Sequence, residues 1–166
     1  MNIFYLDTRP RISAQYHCDK HVVKMILESA QMICTVANEL TGKQVAPYKS
    51  THKNHPCVKW MQEDYINFSY VLNLMWYLDE ERKYRFGSNK THTSVEKIHD
   101  SGIITLIMQY LPERALTEIP LCMPDACKVR NDAVQSYRNY YVREKKHLHK
   151  WTRRGMPYWL INTLTQ

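Results

Sequence analysis

The chain has 166 residues, 44% of them hydrophobic, and 23 Lys plus Arg against 16 Asp plus Glu, a formal charge of +7. That length is enough for a real core in one domain, and the basic balance, with a pI near 9.1, points to a polyanionic partner, nucleic acid before any other. Only four Gly and five Cys, an odd number without a CxxC pair, argue against a disulfide scaffold or a zinc ribbon and for reduced thiols in a cytoplasmic protein. The apolar runs fall short of a membrane span, and Asp7, Arg9 and Arg11 interrupt any early leader-like stretch.

Long periodic segments and scarce Gly predict an all-α fold, a single-domain bundle of about four long helices behind a short extended N-terminus, MNIFYLD, which is an extended lead-in or a small strand. The first helix is expected from about Ile12 to Leu40, stopped by Thr41-Gly42. The second starts at Pro56, a favoured first-turn residue, and runs to Gly87. The third runs from Thr93 or Ser94 to Tyr110, with a kink at Gly102. Residues 111–130 carry three prolines and read as an ordered surface excursion. A fourth helix follows from about Asn131 to Lys150, then the segment WTRRGMPYWL.

The first helix carries the sharpest signal. His17, His21, Lys24, Glu28, Gln31 and Thr35 recur at spacings of three and four, within a stripe of roughly 80°. Apolar residues, among them Val22, Val23, Met25, Ile26 and Ile33, take most of the remaining circumference. Such a helix is largely buried, so its polar stripe must open onto a cleft. His17 and His21 have the i, i+4 spacing of a two-His half-site, but no HExxH glutamate accompanies them, and Lys20 and Lys24 repel a cation; no metal and no cofactor are expected. Lys24 and Glu28 form either a plain surface ion pair or a buried couple, in which Glu28 serves general acid/base work or stabilises a cationic centre.

Two basic clusters extend the pattern. His52, Lys53 and His55 sit just before a helix start, where free N–H groups favour anions; a solvated loop capped by Asn54 or His55 is the plain alternative. In YRNYYVREKKHLHKWTRR, residues 137–154, Arg138, Lys145, Lys146, Lys150, Arg153 and Arg154 interleave with aromatic rings. That pattern suits nucleic-acid backbone contact as well as a solvated helical face, and Trp159 reads as a core anchor.

Asp19-Lys20-His21-Val22, with Lys24, Glu28 and Gln31, is similar to the first-helix motif of the pyrimidine-dimer DNA glycosylase (endonuclease V-like) family, closest to its uncharacterised bacterial and phage relatives. Asn54-His55-Pro56-Cys57-Val58-Lys59-Trp60 resembles their N-H-P-A-V-R-M-W segment, and Pro157-Tyr158-Trp159 weakly echoes their ending. Order and spacing agree over about 60 residues of the N-terminal half. The resemblance implies an amine that attacks C1′ of a damaged nucleotide, a Schiff base, β-elimination of the strand, and a glutamate that Glu28 matches by helix position. It also implies extrusion of a base from duplex DNA and, for a phage-encoded enzyme, action in the host cytoplasm. In the family's phage enzyme the amine belongs to a Thr exposed by methionine removal; here bulky Asn2 predicts that Met1 is retained, leaving Met1, Lys20 and Lys24 as candidate nucleophiles. Three readings stay open: a glycosylase with or without lyase activity, a phosphodiesterase or nucleotide-processing enzyme centred on His17, His21, His52 and His55, and a non-catalytic nucleic-acid-binding protein.

Overall fold

The computed structural model describes residues 1–164, with side chains to Ile161. Eight α-helices follow one another among the described residues, and no strand occurs: α1 (Pro10–Tyr16), α2 (Asp19–Thr41), α3 (Pro56–Glu63), α4 (Tyr65–Phe86), α5 (Thr93–Asp100), α6 (Ile103–Tyr110), α7 (Ala133–Glu144) and α8 (Tyr158–Leu164), with short 3₁₀ turns at Asp125–Cys127 and Lys146–Leu148. The all-α reading is right, but each expected long helix is shorter or divided.

The divisions have identifiable causes. The first expected helix breaks at His17 and Cys18, whose backbones are extended (ψ 136° and 160°). Arg85 of α4 occupies the break. Its Nη1 donates to the His17 carbonyl (2.8 Å) and Asp19 Oδ1 (3.0 Å), its Nη2 to the Gln15 carbonyl (2.9 Å) and its Nε to Glu81 Oε1 (2.7 Å). Arg154 adds a two-pronged pair with Glu81 (2.8 and 2.9 Å), while Thr152 donates its N–H and hydroxyl to Asp19. Carbonyls orphaned at the end of α1 thereby gain charged donors.

The second expected helix divides at Asp64, whose carboxylate accepts the Ile66 N–H (2.8 Å) as an N-cap and also the Arg114 N–H (3.0 Å). The third divides at Gly102, where φ is +69°, a left-handed conformation that glycine adopts without a Cβ penalty. The fourth starts at Ala133, capped by Asp132, and ends at Glu144. Residues 111–130 are an irregular excursion pinned to the body by several side chains, and the N-terminus is extended without pairing into a sheet.

The core runs from Ile3 to Leu160 through every α-helix. Its axis is the packing of α2 on α4, with α1 and α3 also against α4 and with α3, α5 and α6 also against α2. Ile3, Phe4, Tyr5 and Leu6 are all buried, so the N-terminal segment is a core element and not a loose lead. Thr35 and Asn38, late on the α2 stripe, hold the following loop: Asn38 Oδ1 accepts the Val45 and Ala46 N–H groups (both 2.9 Å), and Thr35 Oγ1 accepts that of Thr51 (3.1 Å). This fixes the approach to His55.

Arg85 is wholly buried among two carboxylates and two carbonyls, so its loss strands uncompensated groups. Arg85→Ala is expected to cost about 3–5 kcal/mol, lowering the thermal midpoint by roughly 6–20 °C for a chain of this size. Circular-dichroism melting checks this; a shift below about 2 °C would show that the helix break holds without it.

Candidate active site

A cavity of about 270 Å³ opens beside the first half of α2, bounded by the N-terminus, α2, the start of α3, the 111–130 excursion and α7. Its polar groups are the Met1 amine, His21, Lys24, Glu28, His55, Cys122 and Lys145, and its aromatic wall is Phe4 and Tyr140.

The N-terminus is delivered there by its own side chains. Asn2 Nδ2 donates to the Cys122 carbonyl (2.9 Å), and Asn2 Oδ1 accepts the Ile3 N–H (2.8 Å). Phe4 then turns the chain with φ +50°, rare for a non-glycine residue. Its ring stacks on His21 (centroids 4.3 Å, 19°) and on Tyr140 (5.9 Å, 20°). The outcome is a Met1 ammonium 3.7 Å from Glu28 Oε2, on a residue whose side chain is 3% exposed. Lys24 Nζ lies 3.3 Å from the other oxygen, Oε1, and is 69% exposed. Glu28 therefore stands between an amine anchored by a buried side chain and a solvated one.

The histidines divide. His21 Nδ1 hydrogen-bonds the Tyr141 hydroxyl at 2.5 Å; burial first, then the nearby His17, Lys145 and Lys24, push its pKa down to about 3. His17 is placed in the core and not on the cavity wall: it caps α1, Nδ1 donates to the Ser13 carbonyl (2.7 Å), and burial lowers its pKa to about 4. The break at residues 17–18 takes it off the α2 stripe. His55 caps α3 by accepting the Cys57 N–H (3.2 Å), and its pKa is lowered by burial and then by the N-terminal ammonium. His52 and Lys53 are exposed on the adjoining loop, with His52 Nδ1 on the Thr51 hydroxyl (2.7 Å).

The basic tail is brought to this cavity only in part. Lys145 lines it, with Nζ 4.7 Å from the Tyr140 ring centroid; Lys146 and Lys150 are exposed. Arg138 is built into the fold: its Nε donates to the Leu6 carbonyl (3.0 Å), and its guanidinium lies 5.5–5.8 Å from the rings of Tyr16, Tyr158 and Trp159. Arg154 is tied to Glu81, and Arg153 Nη1 donates to the Tyr84 carbonyl (3.1 Å). Lys20 is exposed on the first turn of α2, outside the cavity lining, and Gln31 is half-buried farther along the helix. Val23, expected on the buried side, is 44% exposed, and Leu27 one turn on is 40% exposed.

One grouping escaped the sequence. His55, Cys57 and Cys122 bring one ligand atom each to within 4.8 Å of one another. Cys122 is too far along the chain for any spacing motif; the His-x-Cys spacing of His55 and Cys57 was the one local cue.

A family model described as pyrimidine dimer DNA glycosylase matches residues 1–92, more than half of the chain. The chain belongs to that family. No curated protein and no solved structure matches it. DNA is thus the substrate class of this DNA glycosylase family member, and Met1, His21, Lys24, Glu28 and His55 all fall inside the matched residues. Cys122, Tyr140 and Lys145, which complete the cavity, lie beyond them. No helix among the described residues is long and apolar enough to cross a membrane.

The buried imidazoles give a pH dependence. A histidine whose folded pKa lies below its unfolded value of about 6.5 binds fewer protons folded than unfolded, so stability rises with pH between the two values and is fully present above the upper one. For His17, from about 6.5 to about 4, the stake is at most about 3 kcal/mol. The thermal midpoint is expected to be level near pH 7–8 and to fall as pH drops through 6 to 4.5, with a shallower fall in His17→Gln. A midpoint independent of pH over that range would show that these rings are free to protonate in place.

Proposed function

We propose that the protein is a DNA glycosylase with AP-lyase activity, in which the α-amine of Met1 is the nucleophile and Glu28 its acid/base partner. The observation that carries this reading is the Met1 amine 3.7 Å from Glu28 Oε2 at the wall of a cavity, anchored by a Met1 side chain that is buried. Of the three candidate amines, Lys20 does not line the cavity and Lys24 is largely solvated, which leaves Met1 as the amine held in place by the fold.

The chemistry follows from that couple. Glu28 takes a proton from the ammonium, and the free amine attacks C1′ of an extruded nucleotide. The glycosidic bond breaks, its electron pair leaving with the base, which collects a proton. Ring opening gives a Schiff base between Met1 and C1′. Loss of a C2′ proton then expels the 3′ phosphate oxygen, and water hydrolyses the imine to return the amine. The Glu28 carboxylate also stabilises the cationic character at C1′ as the base departs. Retention of Met1 is no obstacle, since an N-terminal methionine presents the same primary amine as any other first residue.

Recognition rests on charge and ring surface. Lys24 and Lys145 leave the cavity with more cations than its single carboxylate balances, which suits DNA phosphates. Lys53, Lys20 and Lys146 add exposed charge on the loop and helices around it. Tyr140, half-buried and backed by the buried Phe4 ring, offers aromatic surface to an extruded base. The exposed Lys24–Glu28 pair contributes little to stability, so Lys24 can turn to phosphate at small cost. The histidine-centred hydrolase has less support, because His17 is in the core and His52 is outside the cavity lining.

Borohydride trapping on duplex DNA with a single abasic site is expected to give a covalent adduct through Met1, located by mass spectrometry. Extending the chain by Gly-Ser ahead of Met1 should abolish the adduct while DNA binding persists. An adduct on Lys20 or Lys24, or one that survives the extension, would overturn the assignment. Glu28→Gln is expected to slow base release by about 10²–10⁴-fold with the fold unchanged, and full activity in that variant would remove Glu28 from the chemistry. Lys24→Ala and Lys145→Ala should each weaken DNA binding and reduce the slope of log K against log salt by about 1, measured by fluorescence anisotropy; unchanged slopes would place the phosphates elsewhere.

A further inference from the structure

We propose that His55, Cys57 and Cys122 form a binding site for a thiophilic divalent cation, zinc in the first instance, on the wall of the active-site cavity. The site lies outside the amine–carboxylate couple and stands whether or not Met1 is the nucleophile.

Geometry carries the assignment. Cys57 Sγ and Cys122 Sγ are 3.7 Å apart. A disulfide needs about 2.05 Å, whereas two thiolates on one tetrahedral zinc, each at about 2.3 Å, lie about 3.8 Å apart. The sulfurs therefore already stand at the edge length of a tetrahedral site, and the third ligand atom, from His55, is within 4.8 Å of both. The ligands come from two distant elements, the first turn of α3 and the 111–130 excursion, each anchored by other bonds: Cys57 is buried in the core, and the Cys122 carbonyl holds Asn2.

His55 Nδ1 accepts the Cys57 N–H at 3.2 Å, so that nitrogen bears a lone pair, and a cation taken there replaces the cap on α3. Metal binding releases both thiol protons to solvent, and the two thiolates cancel the charge of a divalent ion. The repulsion from Lys24 and the Met1 ammonium that weighs against a cation on His17 and His21 is thereby met by the ligands themselves. Three protein ligands leave a fourth position, as in zinc sites that hold water or another group.

The test uses the full-length protein, reduced until all five thiols titrate in denaturant, and cobalt(II) as the probe. One equivalent is expected to give the near-ultraviolet sulfur-to-cobalt charge-transfer band and the intense visible bands of tetrahedral cobalt, bleached by one equivalent of zinc(II). Cys122→Ser and His55→Gln should each weaken cobalt affinity at least about 10-fold, the loss that goes with removing one ligand or its support. Cys127→Ser, buried away from the cluster, should leave the spectrum unchanged. Cys122 is only half-buried, so its Ser variant reports on the site even where Cys57→Ser fails to fold. Absence of charge-transfer bands with five free thiols, or bands that persist in Cys122→Ser, would overturn the site. Neither outcome bears on borohydride trapping, so the two proposals fail separately.

Discussion

The active site depends on one buried guanidinium. Arg85 ends α1, starts α2 and ties both to α4 and to the 150–154 segment through Asp19, Glu81 and Arg154. Without that break, an uninterrupted helix would carry His17 round to the same face as Lys24 and Glu28. With it, His17 turns into the core, and α2 begins afresh with His21 as its first residue on the cavity. Two arginines against two carboxylates make the cluster neutral as a whole, so it can be buried only as a complete set. The chain is thereby committed to one arrangement of α1 and α2 against α4, and α2 carries one wall of the cavity.

The N-terminus completes what the guanidinium begins. Four consecutive buried residues, Ile3 to Leu6, fix the direction of the segment, and the positive φ of Phe4 turns its ring onto His21. A terminal amine is ordinarily among the most mobile groups of a chain. Here it is immobilised beside a carboxylate, which is the preorganisation that amine chemistry at a sugar carbon requires. His21 contributes by remaining neutral: as a cation beneath Lys24, Lys145 and the Met1 ammonium it would add to an excess of positive charge, and burial prevents that. The cavity thus keeps its excess of positive charge and one carboxylate, the balance that the proposed phosphate binding and proton transfer require.

Legibility of the site in the sequence followed the range of the interactions. His21, Lys24 and Glu28 were readable because they obey a local period, and the structure sets them round one cavity. The division at residues 17–18 was not readable, because its cause lies more than 60 residues away in Arg85. The division at Asp64 was not readable either, because the apolar period continues on both sides of it. Within the basic aromatic run, Arg138 is packed among Tyr16, Tyr158 and Trp159 and bonded to the Leu6 carbonyl, so it is built into the fold. In composition, such a cluster cannot be told from a nucleic-acid platform. Nothing local marks Cys57 and Cys122, two sulfurs that meet only in the fold.

The boundary of the family match divides the cavity by role. The amine, the carboxylate and the two cavity histidines come from residues 1–92, held by α2 and the Arg85 cluster. Tyr140, Lys145 and Cys122 come from the remainder, and they form a wall and a cation and carry neither the amine nor the carboxylate. Beside the cavity the two parts meet where Asn2 donates to the Cys122 carbonyl, where Phe4 stacks on Tyr140 and where His21 bonds the Tyr141 hydroxyl. Glu28 sits on α2, the helix packed on α4, while Met1 is placed by the buried N-terminal segment. In the proposed reading, groups at the sugar carbon need close register with one another, whereas groups at base and phosphate tolerate variation in contour. On that reading, change in the second part would alter which DNA is held and leave the amine–carboxylate couple in place.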